Sequence, residues 1–149
     1  MANRTMTLTM VALAMAVLAV TAQDTKIQLK NLPAGVQKAV HAEEAKGAKI
    51  VGLSSEVENG KTVYEVETKV NGRARDLILD ATGAILVAEQ EVGIETVPAA
   101  VKAAFESRGK VLIVETVTKG KRITYEAQVE KNGKKVAVEV DENGKPVKA

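Results

Sequence analysis

The chain has 149 residues, a formal net charge of +2, no cysteine, two tyrosines and one phenylalanine. The missing cysteine excludes disulfides and thiolate metal sites. A nucleic-acid binder would show a concentrated basic face and aromatic stacking platforms, which Tyr64, Phe105 and Tyr125 do not supply.

Residues 1–22 differ from the rest. Arg4 stands in a short polar start, Met6 to Val20 are almost wholly apolar, and Val20-Thr21-Ala22 closes the segment. This is the pattern of a secretory signal peptide with cleavage after Ala22. The apolar run falls short of the roughly 20 residues that span a bilayer. The expectation is an exported protein, periplasmic or secreted, with no stable membrane insertion after processing. With no cysteine, the lipoprotein route is closed.

From Gln23 onward the chain repeats itself. Residues 23–92 hold 9 Lys/Arg and 11 Asp/Glu, and residues 93–149 hold 11 and 8, so neither half is strongly charged. Ile27 and Leu29 recur as Val92 and Ile94. Leu32-Pro33-Ala34-Gly35-Val36 recurs as Val97-Pro98-Ala99-Ala100-Val101. Proline suits the first turn of a helix, where its missing N–H is not needed. Apolar positions at Leu32, Val36, Ala39 and Val40, repeated at Val97, Val101, Ala104 and Phe105, have the spacing of one buried helical stripe. The helices lie 65 residues apart and the hairpins 61, which predicts a first helix about one turn longer.

Strands are predicted near 49–57, 62–70, 73–79 and 84–91, then near 110–118, 121–131 and 134–140, with a remnant at 145–148. Asn-Gly at 59–60, 71–72 and 132–133 accepts the positive φ of a two-residue hairpin turn and sets the register. Val66 then faces Leu77 and Tyr64 faces Leu79, while Ala127 faces Val138 and Tyr125 faces Val140. Both tyrosines are expected in the core. Asp80-x-x-Gly83 and Asp141-x-x-Gly144 read as four-residue turns.

The predicted fold class is α+β, built as two tandem repeats, residues 23–92 and a shorter 93–149. Each is expected to be a helix packed on one face of its own small antiparallel sheet. A lone half of that size buries only about 60% of its unfolded surface, so the halves should lean on each other. The Leu-Pro-x-x-Val helix, the strand at Ala48-Lys49-Ile50, the Tyr-Glu-Val strand and the Asp-x-x-Gly turn resemble the PepSY-like family of small exported bacterial proteins. They are also similar to the tandem α/β repeats of the beta-lactamase-inhibitor-like fold. The resemblance implies a non-enzymatic interaction module outside the cytoplasm that inhibits or modulates a peptidase or cell-envelope protein.

Catalytic signals are weak. His41 is the single histidine, too few for a usual zinc site, and Ser54, Ser55 and Ser107 lie in no nucleophile-elbow pattern. The Asp141-Glu142-Asn143-Gly144 stretch lacks the further oxygens of a calcium loop. Lys119-Gly120-Lys121-Arg122 reads as a solvated hairpin tip. No cofactor is expected. Alternation instead gathers Glu65, Glu67 and Asp76 in the first copy, and Glu126, Glu130 and Glu139 in the second, on outward hairpin faces. Glu67 lies opposite Asp76 and Glu126 opposite Glu139, although like charges across a hairpin are unfavourable by about 0.2–1 kcal/mol. This acidic face is the candidate binding surface for a protein or peptide; the alternative is a small ligand or divalent cation.

Overall fold

A computed structural model of the chain describes residues 25–147. The predicted signal peptide, residues 1–22, lies outside them. The element order is β1 (Thr25–Lys26), α1 (Ala34–Ala45), β2 (Lys49–Glu58), β3 (Lys61–Val70), β4 (Arg73–Leu79), β5 (Ile85–Glu91), α2 (Ala99–Glu106), β6 (Lys110–Lys119), β7 (Arg122–Lys131) and β8 (Lys134–Val140). A short 3-10 turn precedes each helix, at Leu29–Asn31 and Ile94–Thr96.

The strands form one eight-stranded antiparallel sheet in chain order. This corrects the expected architecture of two helix-on-sheet repeats, each with its own sheet. The repeated elements are present, but β5 pairs with β6 from Val87↔Lys119 to Glu91↔Glu115 and makes the sheet continuous. Pairing stabilises it because β5 and β6 would otherwise each leave a row of backbone N–H and C=O groups unpaired at an edge.

The hairpin turns form as their residues dictate. Asn59, Asn71 and Asn132 have φ of 49°, 52° and 53°, each followed by a positive-φ glycine; at the fourth hairpin only Gly120 takes positive φ. The register is Val66↔Leu77 and Tyr64↔Leu79 in one hairpin and Ala127↔Val138 and Tyr125↔Val140 in the other. A bulge between Ile50 and Gly52, repeated between Val111 and Ile113, bends β2 and β6 at equivalent places.

Pro33 and Pro98 sit at the N-cap rather than inside the first turn. The helices are 12 and 8 residues long, a difference of four residues, or about one turn. Val36 and Val40 of α1 pack with Val66, Leu77 and Leu79, and Val101 and Phe105 of α2 pack with Val114, Ala127 and Val140. Leu77 pairs with Ala88 and Ala88 with Thr118, and two-residue alternation carries that face on to Val114. Both helices therefore cover the same face. Phe105 is fully buried, whereas Tyr64 and Tyr125 are half-buried at the margins of these two cores. The phenylalanine of α2, not the tyrosine pair, is the fully buried aromatic.

Candidate functional site

The opposite face of the sheet has no described helix over it, and it is strongly acidic. The register places Glu67 beside Asp76, Asp76 beside Glu89, Glu115 beside Glu126, and Glu126 beside Glu139. Acidic side chains thus run from β3 to β8 across the β5–β6 junction. Asp76, Glu89 and Glu115 are only 6%, 7% and 8% exposed, and Val63, Val117 and Thr124 are buried on the same face. A flat, solvated sheet surface does not bury valine. Side chains on this face therefore shield one another.

Burial raises the pKa of each central carboxyl, and neighbouring carboxylates raise it further. Glu89 is pushed up to about 8 by desolvation and by Glu115, Glu126, Asp76 and Glu65. Glu115 rises to about 7 through desolvation, Glu126, Asp76 and Glu91. For Asp76 desolvation is again the largest cause; the Thr68 N–H opposes it and Glu67 adds to it, leaving the value at about 6. Glu126 is raised by desolvation and by Glu139, with Lys119 acting against them. Desolvation disfavours the charged form, and a like charge compounds the penalty.

Four of the carboxylates accept a hydrogen bond. The Thr68 N–H donates to Asp76 Oδ1 at 3.3 Å, and the Ala74 N–H to Glu91 Oε2 at 3.1 Å. The Thr124 hydroxyl donates to Glu139 Oε1 at 2.6 Å and the Ser54 hydroxyl to Glu65 Oε2 at 3.3 Å. Glu67 folds over Gly52, where an added Cβ would come within 2.6 Å of Glu67 Oε2. Glu89 Oε1 is buried and meets no donor among the described residues.

Of the six residues singled out by alternation, Glu65, Glu67, Asp76, Glu126 and Glu139 share this face. Glu130 is also there but lies between Lys110 and Lys135 in the register. Glu89, Glu91 and Glu115 were missed. They lie on β5 and β6, whose pairing no turn residue announces, because α2 intervenes. Their one signal is that Glu89 and Glu91 follow Val87 at two-residue spacing, a carboxylate pair in line with an apolar position.

Other chemistry is not assembled. His41 Nδ1 lies 2.9 Å from Glu44 Oε2 on the exposed side of α1. Among the described residues no group of three His, Cys, Asp or Glu side chains stands where it would hold a metal ion. No described helix is long and apolar enough to cross a membrane.

Residues 36–86, from α1 to the start of β5, match the family described as peptidase propeptide and YPEB domain, PepSY. No curated protein matches the chain. Among solved structures, a protein provisionally described as periplasmic from Bacteroides eggerthii DSM 20697 superposes with a TM-score of 0.63 at 20% identity, covering 78% of this chain and 86% of that one. A DUF2874 family protein from Bacteroides ovatus ATCC 8483 gives 0.59 at 18% identity, covering 79% and 86%. A BLIP-like protein from Bacteroides fragilis NCTC 9343 gives 0.52 at 23% identity, covering 74% and 82%. At these identities the likeness is one of fold.

Proposed function

We propose that this member of the PepSY-like proteins is an exported, non-enzymatic binding module. It docks a basic segment of a protein on its helix-free face and modulates that protein, a peptidase or cell-envelope component outside the cytoplasm. The observation that carries the reading is the burial of Asp76, Glu89 and Glu115 on one uncovered face with carboxylates as their neighbours. Folding alone gains nothing from this arrangement, since unpaired buried charge costs stability. A partner that brings positive charge would recover the loss. The family description names a peptidase propeptide, and solved proteins of similar fold are described as periplasmic or BLIP-like, which supports a role outside the cytoplasm. A divalent cation is the competing ligand for the same face, and it enters the test as a control.

The test is capture of partners from an extracytoplasmic extract by the purified chain and by the Glu67→Gln/Glu126→Gln variant, at low and high salt. The variant is expected to lose capture at low salt and to show a flatter salt dependence, because interface charge acts through encounter and screening. Equal capture by both chains at every salt concentration would reject the docking face. A saturable thermal shift with calcium, absent from the variant, would replace the protein partner with the cation.

A further inference from the structure

Glu89 occupies the middle of the acidic face, on the strand that joins the two repeats. Asp76 lies opposite it on β4 and Val117 opposite it on β6, while Glu115 is the next residue along β6 on the same face. Glu89 Oε1 has no donor among the described residues. Cations stand toward the ends and edges of this face: Lys119 pairs with Arg122 at one end, Lys49 pairs with Lys69 at the other, where Lys110 and Lys135 flank Glu130, and Lys26 pairs with Ser54 on the edge strand. A strip of aliphatic side chains adjoins the carboxylates. Ile78 pairs with Val87 in the row beside Asp76 and Glu89, and Val117 is buried next to Glu89.

We propose that the seam formed by Glu89, Asp76 and Glu115 seats an arginine side chain projecting from the docked partner. This rests on the docking face proposed above and names the group that fills its centre. A guanidinium presents five N–H donors in a planar fork, so one group can serve carboxylates on adjacent strands together. Its methylene stem matches the aliphatic strip of Val87 and Val117. Calcium instead needs six to eight converging oxygens at about 2.3–2.6 Å, a geometry that carboxylates spread over three strands do not provide. Lysine offers a compact point charge with no fork.

The seat also predicts a proton count. Glu89 is acted on by Glu65 from β3, Asp76 from β4, Glu115 from β6 and Glu126 from β7; Glu67 stands beside Asp76, and Lys119 acts on Glu126. Glu89, with a pKa of about 8, is mostly protonated at neutral pH, and Glu115, at about 7, is half-protonated. A guanidinium that stays charged would displace about one proton on binding.

Three acetylated, amidated short peptides, identical except for a central arginine, citrulline or lysine, are titrated into the full chain at pH 7. Carboxyl-carbon resonances report the site, and calorimetry in two buffers of different ionisation enthalpy reports protons. The arginine peptide is expected to shift Glu89 and Asp76, to bind about tenfold or more tightly than the citrulline peptide, and to release about one proton. The Glu89→Gln variant, whose fold is verified by its melting transition, should lose that preference and that release. Equal affinity for citrulline or lysine, no binding, or arginine binding without movement of the Glu89 resonance would overturn the seat. Partner capture lost in Glu67→Gln/Glu126→Gln but kept in Glu89→Gln would overturn the seat while leaving the docking face. Capture kept in both variants would reject both.

Discussion

On the helix-covered side of the sheet the buried carboxylate Glu43, 4% exposed, meets Lys46 Nζ at 2.8 Å and Arg75 Nε at 3.3 Å, whereas on the other side the charges that act on Glu89 are all carboxylates. Burial raises both pKa values. At Glu43 the hydrogen bonds and charges of Lys46 and Arg75 outweigh burial and hold the carboxyl below the usual range. At Glu89 the neighbours push in the same direction as burial. The same side chain, buried to a similar degree, thus ties α1 to β4 in one place and is left strained in the other. Desolvation does not decide what a buried acid does to a fold; the sign of its neighbours does.

The largest expected effect tests whether the covered face supplies the stability. Phe105→Ala should cost about 3–5 kcal/mol, as truncation of a fully buried aromatic does, measured by urea denaturation. A cost below about 1 kcal/mol would place the second core elsewhere.

Next is the dependence of stability on pH, which isolates the acidic face. Glu89, Glu115 and Asp76 have folded pKa values of about 8, 7 and 6 against ordinary values of 4.5, 4.5 and 3.8. The folded state therefore binds more protons than the unfolded chain between about pH 4 and pH 8. Its stability is full below the unfolded values and falls as pH rises through the folded ones. From pH 5 to pH 8.5 the loss should be on the order of 3 kcal/mol, less than the separate shifts would give because the groups are coupled. A flat profile over that range would show that the carboxyls are ionised and solvated.

A pair of neutralising variants sharpens the contrast. At pH 8, Glu43→Gln should destabilise by about 1–3 kcal/mol, because it leaves Arg75 and Lys46 without their anion. Glu89→Gln should stabilise by about 1 kcal/mol or more by removing an unpaired buried charge. Effects of the same sign would erase the difference between the faces. At the low end, His41→Ala should change stability by less than about 0.5 kcal/mol, since its contact with Glu44 is exposed.

The hairpins were legible because short-range chemistry dictates them. Asn71-Gly72 and Asn132-Gly133 force a two-residue turn, and the turn fixes every pair back to Tyr64↔Leu79 and Tyr125↔Val140. The helix stripes were legible for the same reason, down to the extra turn of α1. What was not legible is long-range. No local signal sets Gln90 opposite Thr116, so the fusion of two expected sheets into one was missed, and with it Glu89 and Glu115. Burial of the acidic face was hidden as well, because alternation assigns a residue to a face but does not report how the sheet curves. Val117 is the clue: a buried valine among carboxylates shows that the face is not merely wet.

The order of strands along the sheet bears on how the chain reaches this state. In a meander nearly every strand waits only for its immediate successor, and closing a turn of a few residues takes far less time than assembling a distant pair. From β2 to β8 one junction departs from that rule: between Glu91 and Lys110 the chain must route residues 92–109, including α2, before β5 can find β6. The two hairpin sets should consequently form first, on local contacts, and the central junction should close last. Until it closes, Glu89 and Glu115 belong to separate halves, and a chain caught at that stage has two cores and no continuous acidic face.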